Sequence, residues 1–183
     1  MILYKTYVKL CCILMYYFLR KNSLALEDFR RWIDRYGLTG GDFASFVHLM
    51  QNYPEYRYVF YFRNQAGLRF VFNILLPKLK TTRISTKCVM GGVFLCHGFS
   101  SIIVAESIGK NFVYFQNVTV GYNHGGRPTI GDNVEIYAGA VVAGPIKIGN
   151  NVKIGANSVV LCDVPDNSVV YGNPCIIKKK DAK

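Results

Sequence analysis

The chain has 183 residues, 51% hydrophobic and 18% charged, a balance that excludes disorder over its whole length and suits one or two compact domains. Twenty-two Lys and Arg against eleven Asp and Glu give a formal net charge of +11, so anionic partners or substrates are expected. The excess is uneven, with 13 basic and 5 acidic side chains in residues 1–83 and only 9 and 6 in residues 84–183.

No charge-free run of about 18 apolar residues is present, so a spanning helix is not expected. The longest apolar stretch, Leu10 to Leu19, has Lys5 and Lys9 ahead of it as a signal peptide would. Arg20 and Lys21 follow at once and no small-residue cleavage site appears, so it reads as mature sequence. Tyr7, Leu10, Cys11, Leu14 and Phe18, flanked by Lys5, Lys9, Arg20 and Lys21, would suit a helix lying on an anionic bilayer. The expected location is cytoplasmic, with peripheral contact at the inner face of the membrane through this region as the lesser reading.

Residues 24–36 then predict an amphipathic helix, with Ser23 as cap and Glu27 and Asp28 near the first turn. Phe29, Trp32, Ile33 and Tyr36 share a face, and Gly37 is the stop. Asp42 reads as the cap of a helix with Phe43, Phe46, Val47 and Met50 on one side; His48 falls off that stripe and is expected to be exposed. Pro54 opens a third helix through Tyr56 to Phe62, and Gly67 to Leu79 a fourth. The aromatic stripes read as helix packing rather than as a cofactor site.

From residue 84 the period changes. Aliphatic residues recur every six positions, from Ile102 through Ile108, Tyr114 and Val120, then from Ile130 through Ile136, Val142, Ile148, Ile154 and Val160. The break is four residues long and falls in Gly121 to Thr129, which must form a loop. Neither a helix nor an alternating strand explains sixfold spacing, whereas short strands with tight corners, three to a coil, do. The aliphatics then point into a triangular prism, and Gly131, Gly149 and Gly155 fall at corners where a side chain would be strained. Upstream the register stays open. Met90 and Cys96 continue the frame; Val89 and Leu95 fit one shifted by a residue, with Cys96 and His97 at a corner and an extra residue after them. The expected fold is α+β: an α-helical region at 1–83, a β-helix at 84–173 and a basic tail at 174–183. The six cysteines (11, 12, 88, 96, 162 and 175) show no C-x-x-C pair and no disulfide-like spacing, so a reducing compartment is expected.

The repeat, with the segments CHGFSSIIVAES, QNVTVGYNHGGRPTIGDNVEIYAGAVV and VPDNSVVYGNPCIIKK, resembles hexapeptide-repeat acetyltransferases, especially the serine acetyltransferase-like branch. The resemblance covers about residues 84–178. It implies a left-handed parallel β-helix, assembled as homotrimers or dimers of trimers, with acetyl-CoA as acetyl donor in a groove between neighbouring prisms. It also implies His97 as catalytic base, a task for which an imidazole with an ordinary pKa of about 6.5 is suited near neutrality.

His124 lies in the inserted loop, where such enzymes place residues that close over the acceptor. The branch has a histidine just before the proline of this loop, where this chain has Arg127, and an aspartate just before the catalytic histidine, where it has Cys96. Both departures weaken serine as acceptor and favour a sugar hydroxyl of a capsule or exopolysaccharide, with serine as the alternative. For the cofactor, the resemblance transfers Gly121, Ala138 and Ala156 as small residues beside pantetheine; Lys178, Lys179 and Lys180 read equally as contacts to the CoA phosphates or as a solvated basic tail. Glu106 reads as solvated surface, an orienting role toward His97 being unsupported by spacing. A covalent route through Cys96 is disfavoured because neighbours on a strand point apart. No metal and no nucleic acid are expected: a zinc hydratase on the same prism would need three converging histidines, and the repeat half offers His97 and His124. A noncatalytic scaffold is the remaining rival.

Overall fold

The computed structural model describes residues 2–64 and 68–179. The chain divides into two compact units, Met1–Leu79 and Lys80–Lys183. Among the described residues no helix is long and apolar enough to cross a membrane.

The first unit contains α1 (Ile2–Lys21), α2 (Ser23–Tyr36), α3 (Asp42–Asn52), α4 (Pro54–Arg63) and α5 (Leu68–Leu75). Along α1, Val8, Cys12, Met15 and Leu19 recur at helical spacing and are fully buried. The cap of α2 is Asn22 rather than Ser23: its backbone is extended, its side-chain oxygen accepts from the Ala25 N–H at 3.1 Å, and Ser23 is already helical. Gly37 closes the helix in the left-handed conformation, as expected. Asp42 is likewise not a cap. Gly41 takes that place, and Asp42 sits in the first turn, near the positive end of the helix dipole. Pro54 is the first residue of α4. The last helix is shorter than the expected span Gly67 to Leu79, since Pro77 disfavours helical backbone just before it; Gly67 lies outside the described residues.

Phe29, Trp32, Phe46 and Tyr56 form the aromatic core, with Trp32 and Tyr56 edge to face at 5.3 Å and Phe46 and Phe60 at 5.4 Å. Tyr36 and Phe43 sit at its rim, against Tyr53 at 4.4 Å and Tyr16 at 5.3 Å. Asp28, which in sequence reads as an ordinary first-turn acid, is buried: its Oδ2 accepts from Arg63 Nε at 2.7 Å, and the two side chains are 1% and 5% exposed.

The second unit is a parallel β-solenoid with three sheets. The first holds β1 (Thr82–Ile84), β4 (Ser101–Ile103), β7 (Thr119–Gly121), β10 (Val141–Ala143) and β13 (Val159–Val160). The second holds β2 (Cys88–Val89), β5 (Ser107–Ile108), β8 (Thr129–Ile130) and β11 (Lys147–Ile148). The third holds β3 (Phe94–Leu95), β6 (Val113–Tyr114), β9 (Glu135–Ile136), β12 (Lys153–Ile154), β14 (Ser168–Tyr171) and β15 (Ile176–Lys179). Among the described strands only β15 runs antiparallel, folding back on β14, so this part of the basic terminus is strand.

The inward residues stack in register. Val120 pairs with Val142 and Val142 with Val160 on the first sheet, Ile108 with Ile130 and Ile130 with Ile148 on the second, Tyr114 with Ile136 and Ile136 with Ile154 on the third. The expected frame holds from Ile108 onward and is displaced at its start. Ile103, 0% exposed, pairs with Ile84 and Val120, while Ile102 is 52% exposed. The structure selects the shifted register upstream: Val89 and Leu95 are buried and pair with Ile108 and Tyr114. Tyr114 is the one aromatic in the inward frame, and its hydroxyl lies 3.0 Å from the Thr82 hydroxyl, which satisfies it inside the prism.

Gly131 and Gly149 occupy corners, for a reason other than backbone strain. A Cβ on Gly131 would stand 2.9 Å from the Gly149 backbone, and one on Gly149 2.9 Å from Pro165, so each glycine admits the next coil. Asparagines take many of the left-handed corners, among them 111, 133, 151 and 167. These four form a ladder, Asn111 donating to Asn133 at 2.9 Å, Asn133 to Asn151 at 3.0 Å and Asn151 to Asn167 at 2.9 Å.

Candidate functional site

His97 lies between β3 and β4, at the edge joining the third sheet to the first. Eight positions separate inward Leu95 from inward Ile103, against six between Tyr114 and Val120 one coil later. This corner is therefore two residues longer than its neighbour; the following step from Ile103 to Ile108 is five residues, so one surplus residue remains and the upstream register stays shifted by one. The surplus leaves the coil and carries His97 with it. His97 is exposed with φ 54°, and Phe99 beside it is exposed. A Cβ on Gly98 would come within 3.1 Å of the Leu95 and Tyr114 side chains, so a glycine lets the chain return to the coil here. The base of the bulge is pinned by Ser101, whose hydroxyl donates to the Phe115 carbonyl at 3.0 Å and accepts from the Val118 N–H at 3.1 Å.

Cys96 and His97 both fall in this corner and not on the strand, which replaces the alternation argument made from sequence: Cys96 is half-buried, its N–H bonded to the Tyr114 carbonyl at 3.0 Å, and His97 projects outward. Among the described residues none hydrogen-bonds the imidazole ring.

Backbone bonds order the rest of this edge. Asn117 N–H donates to the Phe99 carbonyl at 3.0 Å, Gly139 N–H to the Gln116 carbonyl at 3.0 Å, and Asn157 N–H to the Ala138 carbonyl at 2.9 Å. His97, Ala138 and Ala156 thus share one edge of the prism, with the two alanines in successive coils. Two features there escape sequence reasoning. Phe115 and Tyr137 stack with centroids 4.9 Å apart, and the Tyr137 hydroxyl donates to Glu135 at 2.7 Å, which also meets Lys153 at 3.5 Å. The Gln116 Oε1 is buried with no hydrogen-bond partner among the described residues. Aromatic residues at 115 and 137 sit in matching positions of successive coils, and that recurrence was the available signal.

Gly121, His124 and Arg127 occupy the opposite edge of the first sheet. The insertion is a tight turn in which Asn123 and Gly126 exchange backbone bonds of 3.2 and 3.3 Å, placing exposed His124 near the tip and exposed Arg127 just after it. A Cβ on Gly121 would meet nothing within 4 Å, so its own prism does not demand glycine. Glu106 is exposed on this same edge, its N–H bonded to the Pro128 carbonyl at 2.9 Å; within one prism it cannot orient His97. Lys178 is exposed on β15 with its ammonium 5.7 Å from the Tyr171 ring, and Lys179 ends that strand; Lys180 lies outside the described residues. His48 is exposed, as expected, and shares a 3.3 Å contact with Asn52. Among the described residues no group of three or more His, Cys, Asp or Glu is arranged to hold a metal ion.

One prism therefore brings His97, Ala138 and Ala156 together and keeps Gly121, His124 and Arg127 apart from them, across the width of the first sheet. An edge with an exposed imidazole and small residues in line leaves room for an extended ligand beside a general base.

Residues 127–162 match the family of bacterial transferases with six hexapeptide repeats. The chain is 50% identical over 95 residues to serine acetyltransferase from Staphylococcus aureus (strain Mu50 / ATCC 700699), covering 49% of this chain and 44% of that protein. It is 47% identical over 97 residues to serine acetyltransferase from Staphylococcus xylosus, covering 50% and 44%. The chain thus spans less than half the length of these curated relatives. Among solved structures, soybean serine acetyltransferase apoenzyme superposes with a TM-score of 0.61 at 29% identity, over 85% of this chain and 68% of that one. The Neisseria gonorrhoeae serine acetyltransferase gives 0.60 at 25% identity, over 86% and 65%. Family, relatives and solved structures together fit a hexapeptide-repeat acetyltransferase of the serine acetyltransferase type.

Proposed function

We propose that this chain, a hexapeptide-repeat solenoid of the serine acetyltransferase type, transfers an acetyl group from acetyl-CoA to an acceptor hydroxyl by direct attack. His97 removes the hydroxyl proton through its imidazole, the oxygen attacks the thioester carbonyl, and backbone N–H groups hold the oxyanion until the CoA thiolate leaves. The observation that carries this reading is the lengthened corner between Leu95 and Ile103, which lifts His97 out of the coil on the edge that also holds Ala138 and Ala156. Gly121, His124 and Arg127 face the other edge of the same sheet, so a groove using both sets would be closed by a neighbouring copy, in keeping with a trimeric assembly. Lys178 would meet CoA phosphate at the end of that groove.

The relatives support L-serine as acceptor better than the capsule or exopolysaccharide sugar expected from the sequence. One observation keeps the sugar as a second reading: Cys96 and Arg127 supply no carboxylate for a substrate ammonium group, and Arg127 is exposed beside the loop. The test is thiol release from acetyl-CoA by the purified full chain, with L-serine and a panel of free sugars as acceptors. Saturable turnover with serine establishes the first acceptor; turnover confined to sugars establishes the second; no acceptor-dependent release with any of them refutes the transferase.

For the first unit we propose a peripheral contact with anionic lipid. Lys9, Ile13, Tyr17 and Lys21 form one row along α1, with Leu10 and Leu14 beside it and Lys21 over the Tyr17 ring at 4.7 Å. The helix carries no Asp or Glu, so two copies pairing through this face would set like charges together. Co-sedimentation with vesicles containing phosphatidylglycerol, and not with pure phosphatidylcholine, is the expected result; a protein left in the supernatant with both refutes it.

A further inference from the structure

Six cysteines without any paired spacing read, in sequence, as unrelated thiols, and the structure separates them. Cys12 is buried in the helical unit, where burial, and then the neighbouring Cys11, push its thiol up to about 12. Cys88 is exposed and Cys11 and Cys96 are half-buried. Cys162 and Cys175 differ. Cys162 follows β13 at the end of the first sheet, and Cys175 lies in the turn between β14 and β15. The return of β15 along β14 brings the two sulfurs to 4.0 Å, although twelve residues intervene. Cys162 is exposed and Cys175 half-buried, so a small oxidant reaches the pair and a rotation of the outer side chain closes the remaining gap of about 2 Å to bond length.

We propose that Cys162 and Cys175 are a paired-thiol modification site for hydrogen peroxide, which converts it to an intramolecular disulfide. The thiolate sulfur of one residue attacks the peroxide, the O–O bond breaks to leave a sulfenic acid and hydroxide, and the hydroxide takes up the proton that the thiol lost, giving one water. The second thiol then displaces hydroxide from the sulfenic sulfur, giving the S–S bond and a second water. Per disulfide, two thiols lose two protons and two electrons, and one peroxide is reduced to two waters. What burial Cys162 has, and then the neighbouring Cys175, push its thiol up, so Cys162 is the thiol that keeps its proton and resolves the sulfenic acid. The bond would close a ring across β14 and fasten the terminal hairpin to the last coil, removing freedom from the unfolded chain.

The test exposes the reduced full-length protein to hydrogen peroxide and reads intact mass, with peptide mapping under nonreducing conditions. The expected result is a loss of about 2 Da that dithiothreitol reverses, a mapped Cys162 to Cys175 link, and a higher Tm of the oxidised form. Cys162→Ser and Cys175→Ser each abolish the 2 Da loss, while Cys88→Ser keeps it. Gains of about 16 or 32 Da in the wild type, intermolecular dimers in place of the internal link, or a 2 Da loss that survives Cys162→Ser would each overturn the assignment. None of these readouts depends on acetyl transfer.

Discussion

The two units solve the same packing problem with opposite economies. The helical unit relies on one cluster of large side chains, with Trp32 on Tyr56 and Phe46 on both Tyr56 and Phe60, and on the buried ion pair of Asp28 with Arg63. The solenoid spreads its cohesion over repeated small contributions, β-branched residues stacked coil upon coil and asparagines laddered along an edge. A single change should therefore be costly in the first unit wherever it touches that pair. In the second its cost should depend on whether the residue faces into the prism.

The largest stability effect is expected from Asp28→Ala, which strands the Arg63 guanidinium in the interior. A loss of about 3–5 kcal/mol is predicted by denaturant unfolding. A loss under 1 kcal/mol would mean that the pair is not buried in solution. Next, Ile103→Ala should cost about 2–4 kcal/mol and Ile102→Ala less than about 0.5 kcal/mol, because only the former empties the prism. Equal losses in thermal melts would return the register to the uninterrupted frame. Smaller again is Asn133→Ala, predicted at about 1–2 kcal/mol: it removes both ladder bonds and puts an alanine at φ 56°. Asn133→Gly, which keeps the left-handed backbone, should recover part of that loss.

The pattern of effects follows what the sequence made legible. Periodicity exposes a feature only when it repeats, so the inward frame from Ile108 to Val160 could be read, and so could the four-residue insertion, since the frame resumes in phase after it. The corner around His97 could not be read in the same way. A lengthened corner followed by a five-residue step moves the inward position from Ile102 to Ile103, and spacing alone supports either side chain. The Asn22 cap was hidden because Ser23 offers the same chemistry one position later. The burial of Asp28 was hidden because its partner is 35 residues away. His97, Ala138 and Ala156 were reached by resemblance, and the prism places them on one edge; the same winding sets Gly121, His124 and Arg127 on another, a separation that a linear motif does not carry.

The account turns on His97 being the base at that edge, and the most direct measurement is steady-state acetyl transfer by His97→Ala beside the wild type, with acetyl-CoA affinity measured on both by calorimetry. The prediction is a fall in kcat of about 10²- to 10⁴-fold with acetyl-CoA affinity nearly unchanged. Full turnover without the imidazole would contradict it.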